Sequence, residues 1–268
     1  MSHYIEVEPK VHLFVEDIGS GPPVVFIHGW PVHHEMFEQQ MNVLPDQGYR
    51  FIGIDMRGFG RSDTISSGYS YDQLADDIRV VFDKLSLKKA VLVGFSMGGG
   101  VASRYMGRHQ GHGVSKLVLA SAAAPKMTQS ENFADGLPTE NVDGLIQGAL
   151  QDRAATVQQV GQMFLGENTS DALRAHFQDM GMASSSLGMV GVAESLRDAD
   201  LRPDLKSITV PTAIFHGTKD QLTPFVFAEH MNKTVENSFI VTFQESGHST
   251  IYDEPETFNK ELLAFLSS

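Results

Sequence analysis

Short apolar runs alternate with amphipathic stretches along most of this chain. The runs are rich in β-branched residues, which favours strands, and the stretches between them place apolar residues at helical spacing. The predicted strands are Tyr4–Glu8, Val11–Glu16, Val24–His28, Phe51–Asp55, Ala90–Phe95, Lys116–Ser121, Pro211–His216 and Ser238–Phe243. The central runs are apolar at successive positions, as is typical of parallel strands that are covered on both faces. The pattern therefore predicts an α/β fold.

Two amphipathic stretches define the predicted helices most clearly. The first, Tyr71–Leu85, places Leu74, Ile78, Val81, Phe82 and Leu85 on one face. The second, near the C-terminal end, does the same with Phe258, Leu262, Leu263 and Leu266. The first two strands have the pattern of an antiparallel hairpin at one edge of the sheet. We therefore expect a mostly parallel, eight-stranded sheet that is flanked by helices.

The alternation of strands and helices is interrupted once, between residues 125 and 207. This segment has no clear strand, and it contains five of the twelve methionines, Met127, Met163, Met180, Met182 and Met189. Methionine side chains fill gaps in a helical layer and also adapt to a ligand, and both interpretations stay open here. We expect residues 1–124 and 208–268 to form one α/β core, with residues 125–207 inserted after the sixth strand as a helical cap.

Composition narrows the classes of protein that fit. A formal net charge of −13 repels phosphate backbones and anionic lipids, so neither nucleic acid nor a membrane is expected as a partner. The chain has no cysteine, which excludes disulfides and a thiolate nucleophile. The opening residues, MSHYIEVEPK, lack a charged segment followed by an apolar run, so we expect no signal peptide and a cytoplasmic location.

The sequence Gly94-Phe95-Ser96-Met97-Gly98 lies between a predicted strand and a predicted helix. A serine in so tight a strand-to-helix turn needs neighbours without side chains, and Gly94 and Gly98 meet that need. Such a turn raises the Ser96 hydroxyl above the sheet at a helix N-terminus, where backbone N–H groups favour negative charge. Ser96 is therefore the candidate nucleophile.

A serine hydroxyl needs a base to remove its proton, and the base needs an acid to orient it. With a nucleophile in this kind of turn, the acid and then the base follow in chain order, on loops after late strands. The turn after the seventh predicted strand ends in Asp220, and the turn after the eighth ends in His248. The position after the sixth strand holds alanines 122–124, which cannot serve as the acid. The sequence predicts Ser96, Asp220 and His248 as a catalytic triad.

Backbone N–H donors must meet the oxyanion that forms when a serine attacks a carbonyl group. One predicted donor is Met97, the residue after the nucleophile. The other is Trp30, the single tryptophan, in the loop His28-Gly29-Trp30-Pro31 that follows the third strand. Pro31 pushes Trp30 to an extended conformation and thereby fixes where the Trp30 carbonyl points.

The remaining histidines are weaker candidates. His33 and His34 follow the same loop, and we interpret them as solvated loop residues rather than substrate contacts. His216 ends a predicted strand and is interpreted as a core histidine. His109 and His112 have the spacing of a loose metal pair, but no carboxylate is close to them in sequence. Neither a metal nor another cofactor is therefore expected.

Several motifs resemble those of a known family over most of the chain. FIHGWP, the turn D-x-RGFGRSD, GYSYDQLADDI, LVGFSMGGG, HGTKDQLTPF and SGHS are similar to the cofactor-free bacterial haloperoxidases (perhydrolases) and their arylesterase relatives. The resemblance implies the α/β-hydrolase fold and a serine–histidine–aspartate triad without metal or haem, with Trp30 and Met97 as oxyanion donors. It also implies hydrolysis of small esters and, with hydrogen peroxide, formation of peracids that oxidise halides. The resemblance further implies that Pro31 marks the members that favour perhydrolysis, because the Trp30 carbonyl that it orients could accept a hydrogen bond from peroxide.

The candidate pocket residues are Pro31, Met127, Val160, Phe164 and Leu222. Where family members have aromatic pocket positions, this chain has Met127 and Val160, with Phe164 retained. The predicted cap is the part of the chain least similar to the family. The differences suggest a roomier or more adaptable pocket for the acyl group.

The expected function is that of a serine esterase that acts on small apolar carboxylic esters through an acyl-enzyme on Ser96. Either water or hydrogen peroxide could take the acyl group. Two alternatives keep the fold: another triad reaction (a lactonase, a C–C bond hydrolase or a hydroxynitrile lyase), or a small-molecule sensor in signalling. A haloalkane dehalogenase or an epoxide hydrolase is disfavoured, because those enzymes place an aspartate where this chain has Ser96. We expect a small-molecule substrate, and the sequence leaves homo-oligomerisation open.

Overall fold

The computed structural model describes residues 1–166 and 169–268. The strands within them are β1 His3–Glu8, β2 Val11–Ile18, β3 Pro23–Ile27, β4 Arg50–Ile54, β5 Ala90–Phe95, β6 Val114–Ala120, β7 Thr212–Gly217 and β8 Ser238–Phe243. They form one sheet in the spatial order β1-β2-β4-β3-β5-β6-β7-β8. β2 pairs antiparallel with β1 and with β4, and the other neighbours pair parallel. The predicted mostly parallel sheet of eight strands is confirmed.

The centre of the sheet is covered on both faces. Every residue of β5 and β7 is buried, which explains why their sequences are apolar at successive positions. β8 forms one edge of the sheet and leaves the ring of Phe239 exposed. The core therefore lies along the middle strands, where the predicted catalytic loops begin.

Helices fill the segments between the strands. In the described residues they are α1 Glu38–Asp46, α2 Tyr71–Lys84, α3 Met97–Arg108, α4 Thr139–Gln151, α5 Arg153–Phe164, α6 Asp171–Met182, α7 Ser186–Asp198, α8 Arg202–Lys206, α9 Val226–Thr234, α10 Thr250–Asp253 and α11 Pro255–Ser267. A single 3₁₀ turn, His34–Phe37, precedes α1. No helix in these two ranges combines the length and the apolar character needed to cross a bilayer.

The two helices predicted from spacing are present, with two differences in their buried faces. Leu85, predicted on the apolar face of the first helix, lies just past the end of α2 and is only half-buried. α2 begins after Ser70, whose hydroxyl accepts a hydrogen bond from the Gln73 N–H and so caps the first turn. In α11 the predicted apolar face included Leu263, which is only half-buried, and Phe265 is buried instead. Both residues are apolar, so spacing alone could not decide which of them faces the core.

Helices α4–α8 follow β6, in the stretch that was predicted as an inserted cap. The two ends of most of this stretch meet: Lys126 forms a β-bridge with Asp200, and the Leu201 N–H donates to the Pro125 carbonyl at 2.9 Å. Beyond that closing point, α8 packs against α3 of the core. The cap boundary at residue 207 stays a prediction. The observed pairing joins the two ends of the inserted segment near residue 200.

The sheet topology brings the predicted catalytic loops together at the carboxyl ends of the parallel strands. β3 lies between β4 and β5 in the sheet. The strand that follows β3 along the chain therefore lies on one side of it, and the next strand, β5, lies on the other side. In open α/β sheets, ligands bind at the carboxyl ends of the strands beside such a reversal. The loops that carry Trp30, Ser96, Asp220 and His248 follow β3, β5, β7 and β8 and leave the sheet at those ends.

Candidate active site

Ser96 occupies the turn between β5 and α3, with φ of 52° and ψ of −117°. A residue with a side chain rarely adopts this conformation, so the turn is strained and depends on its surroundings. The Ser96 N–H donates to the Ala120 carbonyl at 2.8 Å, and the Ser96 carbonyl accepts from the Ala123 N–H at 2.9 Å. A Cβ atom at position 98 would lie 2.3 Å from the Ile27 carbonyl oxygen, so Gly98 is what lets α3 approach β3.

The three predicted catalytic side chains form one hydrogen-bonded chain. His248 Nε2 lies 2.8 Å from Ser96 Oγ, and His248 Nδ1 lies 2.8 Å from Asp220 Oδ2. Asp220 and His248 are buried, whereas Ser96 is partly exposed. With Nδ1–H donating to the carboxylate, the Nε2 lone pair faces the serine hydroxyl. An imidazole in this tautomer and position can remove a proton from a serine.

The Asp220 carboxylate is held on both oxygens. Its Oδ1 accepts from the Leu222 and Thr223 N–H groups at 2.9 Å each, and its Oδ2 accepts from the Thr223 hydroxyl at 2.8 Å. Burial raises the pKa of this carboxyl, but His248, His216 and the Thr223 N–H outweigh burial and bring the pKa below its usual value. Asp220 is therefore an anion at neutral pH, as the orienting partner of a histidine must be.

Two aromatic rings fix the His248 imidazole from other directions. The Phe95 ring lies 5.4 Å from it at 70°, and the Phe164 ring lies 5.2 Å from it at 81°. Both are edge-on contacts of the kind that aromatic rings prefer. Phe164 belongs to α5, so a residue of the predicted cap completes the surroundings of the candidate base. The rings keep water away from the imidazole, which strengthens its interaction with Asp220.

The predicted oxyanion donors belong to the loop after β3 and to the start of α3. Met97 is the first residue of α3, and Trp30 follows Gly29, where a Cβ atom would lie 3.4 Å from the Cβ of Ser96. Among the described residues, neither the backbone N–H of Met97 nor the backbone N–H of Trp30 donates to a protein acceptor. Two N–H groups beside a serine hydroxyl are what an oxyanion needs, and their role stays a prediction.

The loop that carries Trp30 is tied to the helices after β6 by contacts that sequence reasoning missed. The Trp30 indole N–H donates to the Met189 carbonyl at 3.0 Å, and the Pro31 carbonyl accepts from the Ser184 hydroxyl. The Trp30–Pro31 peptide bond is cis. Ser184 and Met189 lie more than 150 residues away along the chain, and a lone serine or methionine carries no local signal.

The predicted pocket residues differ in how closely they approach the candidate triad. Phe164 packs on His248, and Leu222 is half-buried beside Asp220, which its N–H binds. The other three, Pro31, Met127 and Val160, are buried. The part of all five residues in binding a substrate stays a prediction.

The interpretation of His33 and His34 as solvated loop residues is wrong. Both are buried, and the Asp55 carboxylate binds His34 directly. Asp55 Oδ1 accepts from the His34 N–H at 2.9 Å and from His34 Nδ1–H at 2.6 Å. Asp55 Oδ2 accepts from the Arg61 N–H at 2.9 Å. The sequence could not indicate this contact, because Asp55 lies one strand further along the chain than His34.

In the described part of the chain, one group of side chains comes close enough together to hold a metal ion. It consists of His33, His34 and Asp55, whose ligand atoms lie within 4.8 Å of one another. Both Asp55 oxygens already bind the loop and the turn around Arg61. These bonds favour a structural role for the cluster, as a support for the loop after β3.

His216 is a buried core histidine, as interpreted from sequence. Its Nε2–H donates to the Thr223 carbonyl at 2.6 Å and lies 3.5 Å from Asp220 Oδ2. Burial lowers the pKa of His216 despite the nearby Asp220 carboxylate. The neutral ring is therefore one of the supports of the candidate acid.

His28, directly after β3, makes the stability of the folded chain depend on pH. It is fully buried; its Nε2 accepts from the Met56 N–H at 3.0 Å, and its Nδ1–H donates to the Gly29 carbonyl at 2.9 Å. Burial lowers the pKa of His28 from 6.5 to about 4. The unfolded chain binds this proton near pH 6.5 and the folded chain only near 4, so the stabilisation is complete above 6.5 and is lost as the pH falls toward 4.

We expect His28→Gln to reduce this loss, because a glutamine oxygen can accept from the Met56 N–H but does not titrate. The full effect of His28 on the free energy of unfolding is roughly 3 kcal/mol across the window. Denaturant unfolding at about pH 7, 5.5 and 4.5 measures it. His112→Gln, at an exposed histidine, is the matched control and should leave the slope unchanged. An equal slope in wild type and His28→Gln would show that His28 is not the titrating group.

Comparison with known proteins agrees with this fold. The family described as "alpha/beta hydrolase fold" matches residues 22–255. The chain is 46% identical to AB hydrolase superfamily protein YisY of Bacillus subtilis (strain 168), over 100% of both chains. It is 34% identical to the non-heme chloroperoxidase CPO-A1 of Kitasatospora aureofaciens, over 96% of both. The solved structure of the esterase EaEST from Exiguobacterium antarcticum superposes with a TM-score of 0.98, at 43% identity over 100% of both chains.

The chain therefore belongs to the α/β-hydrolase family, in the group of the non-heme haloperoxidases and related esterases. It is a hydrolytic enzyme of the serine-hydrolase type. The predicted fold and the resemblance seen in the motifs are confirmed.

Proposed function

We propose that the enzyme hydrolyses small apolar carboxylic esters through an acyl-enzyme on Ser96. The observation that carries this proposal is the unbroken hydrogen-bonded chain from Ser96 Oγ through His248 to Asp220, with 2.8 Å at each of the two contacts. A partly exposed serine at a helix N-terminus, joined to a buried and oriented base, is suited to acyl transfer.

In acylation, Ser96 Oγ attacks the ester carbonyl carbon while His248 Nε2 takes the hydroxyl proton. The carbonyl oxygen becomes an anion, and the proposed donors to it are the backbone N–H groups of Trp30 and Met97. The tetrahedral intermediate then breaks its bond to the alkoxy oxygen, which takes the proton from His248 and leaves as the alcohol. Asp220 stays ionised throughout and stabilises the imidazolium.

Deacylation reverses these roles with a second nucleophile. His248 takes a proton from water or from hydrogen peroxide, and the resulting oxygen nucleophile attacks the acyl carbon. Collapse breaks the bond to Ser96 Oγ, returns the proton to Ser96, and releases a carboxylic acid or a peracid. The similarity to a non-heme chloroperoxidase supports peroxide as an acceptor.

The surroundings of the triad support an apolar acyl group. The apolar side chains against His248 are the rings of Phe95 and Phe164, and Trp30 follows Gly29, which lies beside Ser96. These groups offer a substrate apolar contact and no charge with which to bind an ionic acyl chain. A cytoplasmic location is part of the proposal and stays a prediction.

A panel of p-nitrophenyl esters tests the proposed substrate class. We expect turnover of the acetate and the butyrate and slower turnover of long-chain esters, with peracid formed when hydrogen peroxide is added. The release of p-nitrophenol and the oxidation of a peracid-specific dye measure the two products separately. No turnover of any ester, with or without peroxide, would refute the proposal.

Replacement of Pro31 is expected to lower the ratio of perhydrolysis to hydrolysis. Pro31 restricts the backbone of Trp30 and so orients the Trp30 carbonyl, which we propose as the acceptor for peroxide. Loss of one hydrogen bond of about 1 kcal/mol predicts a decrease of about fivefold in Pro31→Ala. Both products come from one acyl-enzyme, so the ratio does not depend on the amount of folded protein. An unchanged ratio would show that the Trp30 carbonyl does not select peroxide.

A further inference from the structure

The Thr223 hydroxyl lies between the candidate acid and the candidate base. It is buried, with 1% of the residue exposed. Its Oγ1 lies 2.8 Å from Asp220 Oδ2, 3.0 Å from the Ser121 carbonyl oxygen and 3.2 Å from His248 Nδ1. A buried hydroxyl with three polar neighbours at this range is part of the network rather than a gap-filler.

The hydroxyl has one proton to donate, and two acceptors compete for it. A hydrogen bond to an ionised carboxylate is shorter and stronger than one to a neutral carbonyl, which favours Asp220 Oδ2 over the Ser121 carbonyl. The measured distances have the same order, 2.8 Å against 3.0 Å. Oδ2 is also the oxygen that binds His248 Nδ1, so Thr223 and His248 share one oxygen atom.

The carboxyl end of β6 supports the same network. Ser121, directly after β6, donates its hydroxyl to the His248 carbonyl at 2.9 Å, while its own carbonyl faces Thr223. Ser121 has a φ of 44°, a left-handed conformation that turns the chain sharply at this point. One residue therefore contacts the backbone of the base and the hydroxyl that binds the acid.

We propose that Thr223 is a positioning residue of the active site, whose hydroxyl holds Asp220 Oδ2 in place and limits how strongly this oxygen attracts the His248 imidazolium. The inference rests on the proposed roles of Ser96, Asp220 and His248. Without the hydroxyl, more of the carboxylate charge is available to His248. The imidazolium is then more stable, and the acid limb of the pH profile moves to higher pH.

Other charged and titratable groups around the pair stay in place when Thr223 is changed. His216, from β7, lies 3.5 Å from Asp220 Oδ2. Asp253, at the end of α10, accepts from the Gly247 N–H at 3.1 Å on the loop that carries His248. The aromatic neighbours of the imidazole, Phe95 and Phe164, carry no charge, and Ser96 is unchanged in the variants. A shift of the acid limb is therefore attributable to the hydroxyl.

The test compares Thr223→Val, which replaces the hydroxyl by a methyl group of similar size, with Thr223→Ser, which keeps it. We expect Thr223→Val to lower kcat for p-nitrophenyl acetate about tenfold, with little change in KM, and to move the acid limb of kcat/KM to higher pH. Thr223→Ser should restore both. Thr223→Ala, which leaves a small cavity, should give the same shift and replaces the valine variant if that one folds poorly.

Ser121→Ala is the matched control. It removes a hydroxyl from the same network that touches the His248 backbone but not the carboxylate, so it should lower kcat without moving the acid limb. An acid limb that is unchanged in Thr223→Val and Thr223→Ala, or one that moves equally in Ser121→Ala, would overturn the proposal.

The pH dependence of Ser96 labelling by a fluorophosphonate provides the same readout without an ester. One outcome is that wild type turns over no ester, while the acid limb of the labelling rate still lies at higher pH in Thr223→Val than in wild type. In that case the substrate proposal fails and the role of Thr223 stands. If wild type turns over esters and the variants show no shift by either method, only the role of Thr223 is refuted.

Discussion

Ser96→Ala is expected to lower kcat/KM for short p-nitrophenyl esters by about 10⁴-fold or more. The variant keeps the oxyanion donors and the base but has no oxygen with which to form the acyl-enzyme. Perhydrolysis should be lost to the same extent, because both reactions are proposed to pass through that intermediate. Initial rates of p-nitrophenol release and of peracid formation in the same preparation measure the two losses together.

Stability provides the control for this variant. The Ser96 backbone bonds to Ala120 and Ala123 do not involve the side chain, so we expect the fold and the melting temperature to be retained. Ser103→Ala serves as a matched serine variant in α3, where the hydroxyl bonds only within the helix, to the Gly99 carbonyl. It should keep full activity. Peracid formation that survives in Ser96→Ala would refute the proposed mechanism.

Asp220→Asn is expected to lower kcat by about 10⁴-fold. The asparagine amide would replace the carboxylate at 2.8 Å from His248 Nδ1 and could donate to that nitrogen. The imidazole would then carry its proton on Nε2, which faces Ser96 and could no longer accept the hydroxyl proton. The loss should lie mainly in kcat, because the substrate pocket is not changed.

Asp253→Asn is the control for this second variant. Asp253 binds the backbone of the His248 loop through the Gly247 N–H, but it does not touch the imidazole. We expect its activity to stay within about tenfold of wild type, since one backbone contact is weakened and the tautomer is retained. Similar losses in Asp220→Asn and Asp253→Asn would mean that Asp220 only holds the loop in place.

Local patterns were sufficient to predict the sheet and the candidate triad. The strands are short apolar runs, and the residues proposed for catalysis stand where such runs end, so order along the chain predicted Ser96, Asp220 and His248. Parallel strands bring their carboxyl ends together, and the three side chains form one hydrogen-bonded chain, while their catalytic roles stay a prediction. The glycines around Ser96 added a signal that was independent of the strands.

Contacts between distant segments could not be predicted in this way. His33 and His34 have the polar character of loop residues, and only the fold shows that both are buried and that His34 binds Asp55. Ser184 lies in no motif, and Thr223 lies within HGTKDQLTPF, where only the acid Asp220 was singled out. Their importance depends on a carbonyl or a carboxylate that tertiary structure brings within hydrogen-bonding distance.

Isolation of the covalent intermediate tests the proposed mechanism most directly. The enzyme would be mixed with a p-nitrophenyl ester, quenched in acid during turnover, digested and analysed by mass spectrometry. We predict that the peptide containing Ser96 gains the mass of the acyl group and loses it when turnover is complete. An acyl group on another residue, or turnover with no acylated peptide at any time, would contradict a mechanism through Ser96.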